Sequence, residues 1–175
     1  DEKHNPKTYK KNIDDLIKTR GIEVGHIFHF GQKYSAPMKA NVNTFDGKNI
    51  PVFMGSYGVG LSRLVGAVIE ANHDEKGILW PKEITPWNYN IVNLKSGDQG
   101  CDTVCLKLYN LMNKNFEDIL YDDTSERPGS KLARADLIGL PYQIIIGPKG
   151  VKDQLFDLKN RKNGKMTKLS YNELL

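Results

Sequence analysis

Apolar and polar positions change rhythm several times along the 175 residues. Ile13–Thr19 reads as a short helix, and Glu23–Phe30 (EVGHIFHF) is a β-rich run. Ala40–Phe45 and Ile50–Met54 are apolar stretches on either side of Asp46-Gly47, a pairing that predicts a hairpin. The second of these runs into GSYGVG (Gly55–Gly60) and then LSRLVGAVIEA. There Leu61, Leu64, Val65 and Val68 recur on one helical face. The unit is strand, glycine-rich turn, helix. Further on, strands predicted at Asn90–Leu94, Ile119–Tyr121 and Gln143–Ile146 alternate with helices. Asp102–Asn113 has an apolar side of Val104, Leu108 and Leu111, and Ser130–Ile138 is anchored by Leu132, Ala135 and Leu137 or Ile138. Leu155–Leu158 and Met166–Leu169 flank the turn pair Asn163-Gly164. The fold class is α/β. The later part is a mostly parallel, mixed sheet flanked by helices and ending in an antiparallel hairpin.

Trp80–Trp87 (WPKEITPW) separates these two regimes, because its two prolines disfavour helix and break strand pairing. It divides the chain into residues 1–85 and 86–175. The length is long for one ordinary domain. No apolar run approaches membrane-spanning length, and no signal peptide is present. Asp1 is not an initiator methionine and Asp1–Lys11 is polar, so a piece of a longer polypeptide is expected. Net charge is +4, with 12 basic against 10 acidic residues in 1–85 and 13 against 11 in 86–175. The basic excess gathers late, at Lys149, Lys152, Lys159, Arg161, Lys162, Lys165 and Lys168. Such a patch attracts phosphates, although on charge alone a solvated surface hairpin is the better reading. Cys101 and Cys105 form no secreted disulfide framework, so a reducing, cytoplasmic setting is expected. They are one helical turn apart with no further ligands at zinc spacing, and are expected as core or half-buried thiols.

The glycine-rich junction lacks both Walker A and GxGxxG spacing, since the position three after Gly60 is Arg63. Arg63 sits in the first turn of the helix, where the macrodipole disfavours a cation. It therefore either meets an anionic ligand beside exposed N–H groups or pairs with a carboxylate. His26 and His29 do not chelate together, because strand residues three apart point to opposite faces. His26 shares its face with Val24, Phe28 and Phe30. His73 reads as structural.

MGSYGVGLSRLVGAVIE resembles motif 3 of the class II aminoacyl-tRNA synthetases. With GIEVGHIFHFGQKYS upstream and HDEKGILWPKEITPW downstream, the resemblance narrows to the bacterial prolyl-tRNA synthetases, from about Arg20 to the end of the chain. It implies that residues 1–85 are the last part of an antiparallel-sheet catalytic domain whose strands lack sheet neighbours and expose edges. It implies that Arg63 is the motif 3 arginine lying on the adenine of ATP and reaching its γ-phosphate, with Gly58 and Gly60 letting the strand pass under the nucleotide. Ser56 and Gly55 would border the proline pocket, Ser56 standing where many members have cysteine. His26 and Phe28 are candidates to contact proline, a core histidine being the alternative for His26. The implied substrates are ATP, proline and tRNA(Pro), with Mg2+ in the full enzyme, no zinc and no resident metal site. The implied reaction is activation to prolyl-adenylate followed by transfer to tRNA. The full-length enzyme is expected to be a homodimer. Motifs 1 and 2 are not among these residues, so the chain alone is expected to bind tRNA without aminoacylating it.

ILYDDTSERPGSKLARADLIGLPYQIIIG resembles the anticodon-binding domain shared by the prolyl, threonyl, histidyl and glycyl enzymes. Asp122, Asp123, Glu126, Arg127 and Lys131 follow a predicted parallel strand, at the sheet edge where ligands gather in open α/β folds. Carboxylates suit the Watson–Crick N–H groups of the two anticodon guanines, and cations suit O6 and N7. A charged loop with local caps and salt bridges is the alternative for any one of them. Asp136 reads as a surface or capping residue. The rivals are a binding module without catalysis, which has no use for an ATP wall, another class II synthetase sharing the C-terminal domain, and a generic α/β nucleotide binder, weakened by the absent phosphate-loop spacing.

Overall fold

The structure is a computed structural model that describes Ile17, residues 19–114 and residues 118–174. The helix expected over Ile13–Thr19 falls almost wholly outside these residues. Packing divides the chain into two units, Asp1–Leu64 and Val65–Leu175.

In the first unit β1 (Gly25–Gly31) pairs antiparallel with β4 (Met54–Val59). Between them lie a one-turn helix α1 (Ser35–Met38) and a small hairpin of β2 (Asn41–Asn43) and β3 (Asn49–Pro51). The Asp46-Gly47 signal is realised, with Gly47 at φ 78° closing the turn. The glycine-rich stretch differs from expectation. Gly55 and Gly58 lie inside β4, and only Gly60 forms the junction to α2 (Leu61–Ala71). Pairing explains it: Gly55 through Val59 lie opposite His29 through Gly25, so the segment is a strand, with the small Ser56 and Gly58 on one face and Tyr57 and Val59 on the other. Ser35 is the only buried residue described in this unit, and Ile27, Tyr57 and Leu61 are largely exposed. A two-stranded sheet alone is marginal in water, so this unit gains little stability from its own burial.

The second unit continues from α2 into a minimal hairpin, β5 (His73–Asp74) with β6 (Gly77–Ile78). Then follow β7 (Tyr89–Asn93), α3 (Gln99–Lys114), β8 (Ile119–Asp122), α4 (Pro128–Ile138), β9 (Tyr142–Ile146), α5 (Pro148–Asp153), β10 (Leu155–Asn160) and β11 (Met166–Ser170). The sheet order is β11-β10-β9-β7-β8, parallel across β8, β7 and β9 and antiparallel beyond. The chain leaves β7 for β8 on one side and returns through α4 to β9 on the other. β7 is therefore the point where the winding reverses, the place where open α/β sheets form a crevice.

The core is built from β7, β9 and α3: Ile91, Ile144, Ile146, Cys105, Leu108 and Met112, joined by Ile119 and Phe156. Each of the aliphatic, methionine and phenylalanine side chains among them contributes about 1.5–3 kcal/mol on burial. The buried face of α3 is Cys101, Cys105, Leu108 and Met112; of the expected apolar side Leu108 is buried, Val104 packs partly buried against the core, and Leu111 is only partly buried. The two thiols act as small apolar groups. Likewise Leu137 is 60% exposed, and Ala135 alone of the expected apolar anchors of α4 is buried. Burial pushes the Cys105 thiol up to about 12. Neither cysteine is therefore expected to react with a thiol-specific disulfide reagent in the folded protein, whereas both react in denaturant; rapid native-state labelling would contradict the burial.

Candidate functional site

On the first unit's sheet, residues of β1 and β4 that lie opposite each other share a face. His26 lies opposite Gly58 and Phe28 opposite Ser56. The rings form a row on that face, His26 stacking on Phe28 with centroids 4.3 Å apart and Phe28 on Phe30 at 5.8 Å. No neighbouring atom lies within 4 Å of where a Cβ on Gly58 would stand, so the face is open there. Gly55 lies opposite His29 and belongs to the other face, close under the Phe28 carbonyl. Gly60 donates its N–H to the Val24 carbonyl at 3.1 Å and accepts from Leu64, which starts α2. Arg63, on the first turn, donates from Nη1 to the Glu23 carbonyl at 3.1 Å and lies 3.9 Å from the Glu23 carboxylate. Both partners are more than half exposed, so this pairing orients the guanidinium without burying it. Among the described residues no group of three or more His, Cys, Asp or Glu side chains converges to hold a metal ion.

In the second unit, the C-terminal ends of the parallel strands open onto a groove of ≈ 480 Å³. Leu94, Lys95 and Ser96 line it after β7, Ser125, Glu126, Arg127 and Pro128 after β8, and Pro148 after β9. Its walls are fixed by charge. Lys131, fully buried, donates to the Asn93 carbonyl at 2.6 Å and to Ser96 Oγ at 2.8 Å, and lies 3.8 Å from Asp122. Ser96 Oγ in turn donates to the Thr124 carbonyl, tying the loops after β7 and β8 together. Arg134 spans the second loop, with Nη2 on Asp122 and Nη1 on Glu126, both at 2.8 Å. Burial alone would raise the Asp122 carboxyl, but Arg134 and Thr124 outweigh it and hold it below its ordinary value.

Of the five residues singled out from the end of β8 to the first turn of α4, Asp122, Glu126 and Lys131 are therefore engaged within the fold. The side chains of Asp123 and Arg127 are exposed and make no hydrogen bond or ion pair with any described residue. Arg127 is also the N-cap residue of α4, in extended conformation before Pro128. Sequence reasoning passed over Arg134, Lys95 and Ser96. Only Arg134 carried a usable signal, lying on α4 one turn beyond Lys131. Asp136 is not a surface residue. It accepts from Lys159 Nζ at 2.5 Å and from Gln143 Nε2 at 2.9 Å, and its carbonyl accepts from Arg161. The basic patch is correspondingly smaller than it looked, since Lys159 and Arg161 are paired.

Comparison with known proteins places this geometry. Residues 89–175 match the family described as anticodon binding domain, which fits a mixed sheet with its groove at the winding reversal. The second unit thus carries an anticodon-binding domain. Over 161 residues the chain is 52% identical to a proline–tRNA ligase of Caulobacter vibrioides, covering 92% of this chain and 36% of that protein. It is 51% identical over 175 residues to the enzyme of Rhodospirillum rubrum, covering 100% and 40%. With Bartonella quintana the figures are 53% over 177 residues, 100% and 40%. A crystal structure of prolyl-tRNA synthetase from Cryptosporidium parvum with L-proline and AMP superposes with a TM-score of 0.69 at 19% identity, over 86% of this chain and 32% of that one. The chain is thus similar to the C-terminal portion of bacterial proline–tRNA ligases. It spans 36% to 40% of the length of these relatives.

Proposed function

We propose that the second unit reads the anticodon of proline tRNA, and that the first unit supplies one wall of the ATP and proline site of a proline–tRNA ligase. The observation that carries the first part is the groove after β7, β8 and β9, lined by the exposed Arg127, with the exposed Asp123 carboxylate on the same loop after β8; neither side chain pairs with any described residue. These are the two chemistries that meet a guanine, one on its N–H edge and the other on O6 and N7. Unstacked loop bases offer those edges freely. Lys95 and Arg127 add positive charge for the neighbouring phosphates. Asp122, Glu126 and Lys131 are assigned to the same site, acting through the walls they hold.

In the first unit, Arg63 would lie on the adenine and reach toward the γ-phosphate, with Gly58 and Gly60 leaving room for the nucleotide. Ser56, His26 and Phe28, which share one face, would border proline, with Gly55 beside Ser56 contributing only backbone because it belongs to the other face, and the ring row offers an apolar floor for a compact amino acid. The proline carboxylate attacks the α-phosphate of ATP, forming prolyl-adenylate and releasing pyrophosphate. A terminal ribose hydroxyl of the tRNA then takes the prolyl group and AMP leaves. Positioning and charge neutralisation, rather than a protein nucleophile, carry such chemistry. Support comes from the relatives' names, and from the Cryptosporidium parvum enzyme having been solved with L-proline and AMP and with AMPPNP. The open edges of β1 and β4 fit a sheet completed by the remaining length of such an enzyme. By the same resemblance the parent enzyme is assigned a homodimeric state, Mg2+ with its ATP, and a cytoplasmic setting.

Backbone amide shifts test the groove. An anticodon stem-loop of proline tRNA should perturb residues 94–96 and 123–127 first. Perturbation confined to the hairpin at 161–168 would move the RNA site off the groove and overturn the reading.

A further inference from the structure

The C-terminal end of α4 is held by side chains from two other segments of the chain. Helix termini leave carbonyls that need donors. Here they come from two places. The Arg161 Nε donates to the Asp136 carbonyl at 2.9 Å, and the Trp80 indole N–H donates to the Ile138 carbonyl at 2.8 Å. The rest of the Arg161 guanidinium clasps Asp74, Nη1 to Oδ2 at 2.8 Å and Nη2 to Oδ1 at 2.6 Å. Only 3% of the Arg161 side chain is exposed, and its partner lies 87 residues away in sequence. Asp74 also accepts from the Lys76 and Gly77 amides, so the same carboxylate shapes the β5–β6 turn. The two backbones touch. A Cβ on Gly77 would stand 2.6 Å from the Leu137 carbonyl oxygen.

One side chain therefore joins three things: the end of α4, the β10–β11 hairpin that carries it, and the short hairpin that follows α2. Lysine would not reproduce it, since an ammonium lacks the planar fork that meets a carboxylate with two parallel bonds while Nε serves a carbonyl. At its other end, about 16 Å away along 11 residues, α4 begins at Arg127 on the rim of the groove. Ala71, the last residue of α2, is three residues before Asp74.

We propose that Arg161 is a positioning residue that couples the groove to α2. Occupation of the groove at the start of α4 steadies that helix, and the Arg161–Asp74 clasp passes the steadying to the segment after α2. This rests on the anticodon reading of the groove.

The test is hydrogen exchange on the whole chain, free and saturated with the anticodon stem-loop. In the wild type, exchange slows at residues 122–127 and also, by about fivefold or more, at residues 67–78, in the ordinary range of coupling between sites. In Arg161→Met the stem-loop still slows residues 122–127 but no longer residues 67–78. Arg161→Lys, which keeps the charge and loses the clasp, should do the same. It serves alone if the methionine variant fails to show a cooperative urea transition. A merely structural role would lower stability without removing this ligand-dependent difference. Slowing at 67–78 that survives both substitutions overturns the role of Arg161. Slowing confined to 122–127 in the wild type overturns the coupling and leaves the anticodon reading standing. No slowing at 122–127 in any form sinks that reading, and the coupling with it.

Discussion

Gly139→Ala is expected to destabilise the second unit by about 3–5 kcal/mol, combining the left-handed backbone penalty with overpacking against backbone atoms. Gly139 ends α4 at φ 77°, with its N–H on the Ala135 carbonyl. A Cβ there would stand 2.9 Å from Ile78 Cα and closer still to the Ile78 carbonyl. Those atoms belong to β6, and backbone cannot rotate away as a side chain end can. The joint between β6 and α4 would have to open, taking with it the Trp80 contacts to Ile138 and Gly139. Urea unfolding followed by far-ultraviolet circular dichroism measures the loss. A change below about 1 kcal/mol, the size of an ordinary surface effect, would mean that β6 does not seat on α4 in solution.

Arg127→Ala is expected to reduce discrimination between proline tRNA and its anticodon-guanine variants by about 5- to 150-fold, the range of about 1–3 kcal/mol for a bidentate base contact. The salt dependence of binding should fall by about one phosphate's share at most. The expectation follows from its freedom: the Arg127 side chain lines the groove and pairs with no described residue, whereas Arg134, seven residues on, is tied to Asp122 and Glu126. Parallel titrations of the two RNAs check it, and an unchanged ratio would remove Arg127 from base reading.

Acid should act on the second unit through named carboxylates. The Arg161 guanidinium holds Asp74 far below its ordinary value of 3.8. Burial would raise Asp136, but Lys159 and Gln143 keep it depressed. Carboxyls depressed by folding contribute stability that is fully present above the unfolded value and is lost as pH falls below it. The urea midpoint should therefore hold from neutral pH down to the region above 3.8 and drop below it. Asp74→Asn should be less stable at neutral pH and show a shallower acid drop.

The β2–β3 and β10–β11 hairpins and the parallel strands were legible in the sequence because local rules decide them: Asp46-Gly47 and Asn163-Gly164 set the turns, and apolar runs set the strands, whereas the short β5–β6 hairpin had no such signal. The placing of the Asp122–Arg127 loop at the end of a parallel strand was legible for the same reason. What was not legible depends on distant partners. Cysteine could not announce that it faces the core of α3, and Lys131 could not announce that its ammonium lies beneath the groove on Asn93 and Ser96. Nothing near Arg161 in sequence points to Asp74. The glycines of β4 looked like a turn because glycine is commonest there; only pairing with β1 shows them as strand.

The central claim, that the second unit reads anticodon bases, is tested most directly by the affinity of this chain for proline tRNA and for the same tRNA with both anticodon guanines replaced, at one fixed salt concentration. The prediction is tighter binding of the unaltered tRNA by about tenfold or more. Equal and strongly salt-sensitive binding of both would contradict it, because the protein would then be gripping phosphate alone.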